Sequence, residues 1–246
     1  MPTIDICLVA GRRPDLLKTT LQSFSASVFE NFDVANFYAN IDPIFGGTDD
    51  EKRTQDVIRS FFPDAHITTP ENPNFCTAVR RNWLSTQSPF VFHLEDDWVV
   101  NEKIFSAEIL EIFSNKDVAQ VSLNHFYKNW NYKHGPYHRQ WPRWKVLGIK
   151  FKLGFSFPCF TTSPSFLRGD FARKAGALMD ERFDPEKQFH NDVNRPLKKF
   201  IKPYKNFIYG ERKPYVITDT GRNWRDERKI KKTLVNSTSS WETTES

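Results

Sequence analysis

The sequence predicts an α/β fold with a mostly parallel central sheet flanked by helices. Two observations carry this expectation. Apolar, β-rich runs alternate with stretches of helical periodicity through the first half of the chain. Alternation of that kind builds parallel sheets through right-handed crossovers. The fourth apolar run ends abruptly in three consecutive carboxylates, Glu95-Asp96-Asp97. Like charges this close repel, so a shifted pKa or a bound cation is required, and carboxylate oxygens suit Mg2+ or Mn2+. The C-terminal edge of an open sheet is also where α/β folds bind ligands. The plainer reading is a solvated turn with no ligand.

The elements follow in order. Residues 4–10 are apolar and β-rich, and Gly11-Arg12-Arg13-Pro14 breaks the run. Residues 15–25 place Leu16, Leu17, Thr20, Leu21 and Phe24 at helical spacing. Residues 33–41 contain a second strand, ending in Asn40-Ile41-Asp42-Pro43. After the Gly46-Gly47-Thr48 loop, residues 49–62 form a helix with Val57, Ile58, Phe61 and Phe62 inward. A short strand at 65–68, a helix at 74–86 and the carboxylate-ended strand at 90–94 complete this half. A helix over 101–113 and a strand over 118–123 come next. The second half is less regular. Residues 156–167 contain a strand, 169–179 form a helix, 182–195 form a loop running into a helix, and 215–218 form a late strand. Residues 233–246, rich in Ser, Thr and Glu, are expected to be disordered.

With 246 residues and 15% aromatics, led by 23 Phe, the chain fits one large domain with an aromatic core. The net charge of +5 suits a phosphorylated ligand, an anionic membrane surface or nucleic acid without choosing among them. Cys7, Cys76 and Cys159 show no CxxC spacing, which supports neither a zinc site nor a disulfide framework. No apolar stretch approaches the roughly 20 residues needed to span a bilayer. The expectation is a soluble, cytoplasmic protein, with peripheral membrane contact as an alternative. The oligomeric state is not readable from the sequence.

The order of these motifs resembles the GT-A glycosyltransferases, close in pattern to the family 2 enzymes, over most of residues 3–195. Ala10-Gly11-Arg12-Arg13-Pro14 is similar to the family's turn that touches the nucleotide base. Asp42 stands where such enzymes place an acidic or polar residue near the uridine. Asn72-Pro73-Asn74-Phe75-Cys76-Thr77-Ala78-Val79-Arg80-Arg81-Asn82 is similar to the family stretch of Asn, a small residue and Ala-Arg-Asn. The family's glycine is replaced near Phe75-Cys76. Glu95-Asp96-Asp97 resembles the DxD element, and its Glu-Asp-Asp form is also similar to that of the N-acetylglucosaminyltransferase of complex N-glycan synthesis.

The resemblance implies a nucleotide-sugar donor, UDP-linked, and Mn2+ or Mg2+. Asp97 would coordinate the metal, with Asp96 at the ribose or the metal and Glu95 at the sugar or behind the metal. Ala10, Gly11, Arg12, Asp42 and Asn74 would bind the donor. Arg80 or Arg81 would bind phosphate, the plainer reading being a solvated helix face. Asp192, after Phe189-His190-Asn191, would be the general base of an inverting displacement, although the family has an acid where Asn191 stands. The alternative for Asp192 is a helix N-cap, with Asp184 and Glu186 as further candidates for the base. Arg222 and Arg225, in a donor-rich stretch after the late strand, would fold over the diphosphate as a lid.

Residues 126–152 carry Trp130, Trp141 and Trp144 among basic residues and no acid. With Trp98 they would form the platform for a glycan or lipid-linked acceptor. The expected organisation is a single domain over 1–232, with a donor and metal half at 1–125 and an acceptor half at 126–232, followed by the tail at 233–246. The rival readings are a sugar nucleotidyltransferase, an inactive relative that binds carbohydrate, and a nucleic-acid-binding protein using 126–152. The last leaves the three carboxylates without a role.

Overall fold

The computed structural model describes residues 1–126, 135–141, 143–146, 149–152, 156–190, 192–210, 213–235 and 238–243, and for 143–146, 149–152, 231–235 and 238–243 it describes the backbone alone. In chain order the elements are β1 (Thr3–Ala10), α1 (Pro14–Ser27), β2 (Asp33–Ile41), α2 (Thr48–Phe61), β3 (His66–Thr68), α3 (Phe75–Ser85), β4 (Phe90–Glu95), β5 (Trp98–Val100), α4 (Ser106–Ser114) and β6 (Val118–Leu123). The short strands β7 (Arg139–Gln140), β8 (Arg143–Val146), β9 (Ile149–Lys152) and β10 (Phe157–Pro158) follow. Then come β11 (Ser165–Arg168), α5 (Gly169–Leu178), α6 (Pro185–His190), α7 (Arg195–Ile201), β12 (Lys205–Tyr209), β13 (Ile217–Asp219), α8 (Gly221–Glu227), β14 (Ile230–Val235) and β15 (Thr238–Thr243).

Seven of the eight β1 residues are buried, the pattern of a strand covered on both faces. It pairs in parallel with β2 on one side and β4 on the other. The seven-stranded sheet has the order β12-β6-β11-β4-β1-β2-β3. Only β11 runs against the rest, antiparallel to both β4 and β6. The chain leaves β1 toward β2 and β3, then returns to the other side at β4. That reversal opens a crevice at the C-terminal ends of β1 and β4, where Val9 lies opposite Glu95.

The helices that pack on this sheet start where their sequences say they should. Pro14 opens α1, which buries Leu17, Thr20, Leu21 and Phe24. The Asn74 side chain caps α3 by accepting the Thr77 N–H at 2.9 Å. The expected aromatic core is present. Phe24 and Phe166 pack on Phe92 with ring centroids 5.6 and 4.6 Å away. Trp83, Phe160, Phe171 and Phe189 belong to a second buried cluster. All three cysteines are buried and free. No described helix is long and apolar enough to cross a membrane.

Several elements differ from the sequence expectation. Helix α4 begins at Ser106 because the residues before it serve as a strap. Asn101 donates its amide to Tyr215 O and its N–H to Val216 O, and Ile104 N–H bonds Ser27 O. The 215–218 strand begins later, as β13, and forms a two-stranded ribbon with the unforeseen β5. Lys205–Tyr209 adds an edge strand to the main sheet. The tail is not simply disordered, since β14 and β15 form an antiparallel ladder. Its Ile, Val, Thr and Trp residues favour extended backbone, a local preference that the low apolar count hides.

A buried carboxylate ties the start of β4 to the central strand. Asp5 accepts the N–H groups of Gln87 and Ser88 at 2.6 and 2.9 Å, the Ser88 hydroxyl at 2.8 Å and the Asn36 amide at 2.8 Å. Burial opposes ionisation, but these donors outweigh it and hold the carboxyl below its ordinary value. The stability it contributes is therefore present above the unfolded-state value of 3.8 and is lost as pH falls through the lower folded value. Urea unfolding should show Asp5→Ala less stable by about 3 kcal/mol at neutral pH. The difference should shrink in acid, and a variant as stable as the parent at pH 7 would contradict the assignment.

Candidate active site

The crevice is a cavity of about 720 Å3, within the usual range for small-ligand sites. The end of β1 supplies Ala10, Gly11 and Arg13, and the end of β2 supplies Asp42 and Phe45. The start of α3 supplies Asn74 and Cys76. Glu95, Asp96, Asp97 and Trp98 come from β4 and the turn after it. The opposite wall carries Glu181, Asp184 and Glu186, and α8 and the residue before its cap bring Asp219, Arg222 and Arg225.

Asp96 sits at the floor, 2% exposed. Gly11 N–H donates to its Oδ2 at 3.0 Å, and Arg13 Nε donates to the same atom at 3.1 Å. Arg13 Nη2 donates to Asp96 Oδ1, and also to Asp97 Oδ2 at 3.2 Å. Asp97 Oδ2 receives a further bond from Arg225 Nη1 at 3.3 Å. The Asp97 carbonyl accepts both the N–H and the hydroxyl of Thr220, each at 2.9 Å. This brings the start of α8 against Asp97. A Cβ on Gly221 would fall 1.9 Å from Asp97 Oδ2, so only glycine permits the approach.

The structure gathers most of the expected donor residues and leaves others outside. Ala10, Gly11, Asp42, Asn74, Glu95, Asp96, Asp97, Trp98, Arg222 and Arg225 all line the cavity. Burial pushes the Asp42 carboxyl up, against the hydrogen bonds from Asn40 and the Asn74 N–H. Glu95 accepts the Trp98 indole N–H at 2.9 Å. Arg12 does not line the cavity. Its Nε and Nη2 bind Glu51 of α2 at 3.0 and 2.5 Å, and the adjacent Arg13 takes the inward place. Two neighbouring side chains on an extended turn point opposite ways, so one arginine had to face out. Arg81 binds Asn40 Oδ1 at 2.8 Å and Arg80 binds Glu181 at 3.2 Å, so neither reaches the cavity.

Asp192, the expected base, lies away from the cavity. The Asp192 side chain is 87% exposed, pairs with Lys198 Nζ at 2.6 Å, and is absent from the cavity lining. Lys198 holds its carboxyl below the ordinary value. Nor does Asp192 cap the following helix, because Asn194 does so by accepting Leu197 N–H at 3.0 Å. Glu181, Asp184 and Glu186 are the carboxylates of this region that line the cavity. Asp184 caps α6 through the N–H groups of Glu186 and Lys187 at 3.0 and 3.2 Å. Glu186 accepts the Thr161 hydroxyl at 2.9 Å. His190 Nε2 lies 2.7 Å from Phe160 O, a structural contact. Of the expected acceptor tryptophans, Trp141 does not line the cavity, Trp144 is described in backbone only, and Trp130 lies outside the described residues.

Asp96 does not fit as a metal ligand, because Arg13 and Gly11 occupy both its oxygens. Asp97 does fit. Its Oδ1 receives no hydrogen bond from the described residues. The neighbouring Asp219 carboxyl is raised by burial and by the charge of Asp97. A carboxylate held beside a second one is suited to a hard cation. Among the described residues no three His, Cys, Asp or Glu side chains group to hold a metal by themselves. The remaining ligands would be phosphate oxygens and water, the usual arrangement for Mg2+.

No family model matches the chain, and no curated protein matches it in sequence. Solved structures match its fold. S. aureus TarS 1-349 is similar at 12% identity and a TM-score of 0.52, over 89% of this chain and 60% of that one. The mannosyltransferase PcManGT from Pyrobaculum calidifontis, in complex with GDP-Man and Mn2+, is similar at 9% identity and a TM-score of 0.54, over 92% and 61%. A CMP:2-keto-3-deoxy-manno-octonic acid synthetase complexed with CTP is similar at 11% identity and a TM-score of 0.50, over 92% and 97%. These likenesses establish the GT-A-like α/β fold. The chain spans about three fifths of the two transferase chains.

The geometry separates the two aspartates by role. Asp96→Ala leaves the Arg13 guanidinium buried without its main partner and should cost about 3–5 kcal/mol. Asp97→Ala keeps the Arg13–Asp96 pair and should cost about 1 kcal/mol. Urea unfolding of both variants checks this, and equal losses would contradict the division.

Proposed function

We propose that the chain is a glycosyltransferase that moves a sugar from a nucleotide-sugar donor, UDP-linked, to a hydroxyl of a glycan or lipid-linked acceptor, with inversion. The observation that carries the reading is the crevice itself. At the switch point of a GT-A-like sheet it sets Asp97 and Asp219 beside Arg13, Arg222 and Arg225, with Glu186 among the carboxylates of the facing wall. Anion-binding and cation-binding groups side by side suit a metal-bound diphosphate.

Asp97 and Asp219 would hold Mn2+ or Mg2+, which when bound stabilises the charge developing on the leaving diphosphate. Asp42 and Asn74 would hold the nucleoside end. Arg222 and Arg225, on a helix pinned to Asp97, would hold the phosphates and cover the donor from water. Trp98 would wall the sugar side. Glu186, oriented by Thr161, replaces Asp192 as the general base. The acceptor oxygen attacks the anomeric carbon, the bond from that carbon to the diphosphate oxygen breaks, and the hydroxyl proton passes to Glu186. The nucleotidyltransferase reading has the likeness to the synthetase in its favour. It predicts pyrophosphate release from a nucleoside triphosphate and a free sugar, which product analysis separates from sugar transfer.

A thermal-shift screen against UDP-, GDP-, dTDP- and CMP-sugars, with Mn2+ and with EDTA, tests the donor site, because a ligand of the native state raises its stability. One nucleotide class should stabilise the protein in the presence of metal. Glu186→Gln should keep that shift and lose transfer by roughly a hundredfold or more. Asp192→Asn should transfer at the parental rate. The reverse pattern would return the base to Asp192.

A further inference from the structure

Arg13 is held as though one of its corners awaits a ligand. It is 6% exposed and lines the cavity. Nε and Nη2 are committed to Asp96, and Nη2 also reaches Asp97. The guanidinium carbon lies 4.7 Å from the centroid of the Phe45 ring and 5.2 Å from that of Trp224. This fork fixes the plane of the guanidinium, and the rings restrict its movement. The third nitrogen, Nη1, is buried and has no hydrogen-bond partner among the described residues. A buried donor on a cation is costly to leave unsatisfied. Because its sister nitrogens are anchored, it cannot turn away to find water. Arg13 lines the cavity, and an anionic oxygen that arrives there and reaches Nη1 would satisfy it.

We propose that Arg13 Nη1 binds a non-bridging oxygen of the donor diphosphate, tying it to the Asp96–Asp97 pair. The inference rests on the transferase reading and adds a contact the protein makes without the cation. Arg13 is thus a diphosphate-binding residue as well as the counter-charge of two aspartates. Part of the affinity for a diphosphate then survives chelation of metal.

The test measures equilibrium binding of UDP, UMP and uridine, and of GDP, GMP and guanosine, to the full chain and to Arg13→Lys. Each titration is run with Mn2+ and with EDTA. The lysine keeps a positive charge opposite Asp96 but loses Nη1. Arg13→Lys should weaken the bound diphosphate roughly tenfold to a hundredfold, the worth of a charge-assisted hydrogen bond. Nucleoside binding should stay unchanged. In EDTA the parent should still prefer the diphosphate to the nucleoside, and the variant should not. Unchanged diphosphate affinity in the variant, or a parental preference that vanishes in EDTA, would overturn the proposal and leave the transferase reading standing. A parent that binds neither UDP nor GDP in either condition would overturn both. If Arg13→Lys does not fold, judged by circular dichroism, the double variant Arg13→Gln with Asp96→Asn replaces the ion pair by an amide pair and carries the same comparison.

Discussion

The buried pairing of Arg13 with Asp96 is the constraint on which the crevice depends. Taking a carboxylate and a guanidinium out of water is expensive, and their attraction compensates only when the geometry is good and the other polar atoms are satisfied. Here burial pushes the Asp96 carboxyl up, while Arg13 and the Gly11 N–H pull it down. The ionised pair is the form the geometry supports. N–H donors converge on both carboxylate oxygens, and a protonated carboxyl would have to give up one of those acceptors. The pair joins the turn after β1 to the end of β4, the two sides of the switch point. Through the Phe45 and Trp224 rings it also ties in the loop after β2 and helix α8.

With Asp96 fixed, its neighbour is turned to a different task. Adjacent side chains at the end of an extended strand diverge, so Asp96 can go to the floor while Asp97 goes to the cavity and α8. The β5–β13 ribbon then places Asp219 opposite Trp98 in register. Thr220 anchors on the Asp97 carbonyl, and Gly221 lets the helix start touch the carboxylate. A buried aspartate at the floor, a cavity-facing aspartate and an arginine-bearing helix thus follow from one strand end and one short ribbon.

The first half of the fold was legible because its periodicities are strong. Strands β1 to β4 and helices α1 to α3 lie within two residues of the segments read from hydrophobic spacing. The carboxylate triplet located the cavity for the same reason: charge at the end of a buried strand has few structural uses. What failed was resolution between neighbours. Nothing in Gly11-Arg12-Arg13 says which arginine faces inward, because that depends on Glu51, nearly forty residues away in α2. The base went to Asp192 through a motif position, whereas the lining carboxylates Asp184 and Glu186 stand at the start of α6, a helix of six residues too short for periodicity to reveal. Strand β12 was missed because an edge strand of five residues between basic segments carries little apolar signal. The β14–β15 ladder was missed because composition was weighed above backbone preference.

The charge of the crevice gives the metal a physical role beyond analogy of fold. The chain carries a formal net charge of +5. Yet among the described residues eight carboxylates and three arginines line the cavity. One arginine is already spent on Asp96, and another bonds Asp97. Away from Arg13, a diphosphate entering alone would meet carboxylates, and like charges in a partly desolvated site repel. The raised carboxyls of Asp42 and Asp219 register burial first and then that crowding. In the transferase reading proposed above, a divalent cation held by Asp97 and Asp219 would offset that repulsion and stabilise the developing leaving-group charge. Three arginines against eight lining carboxylates would do this only in part. Their fixed positions would set the orientation, so that the cation would supply most of the charge and Arg13 the direction.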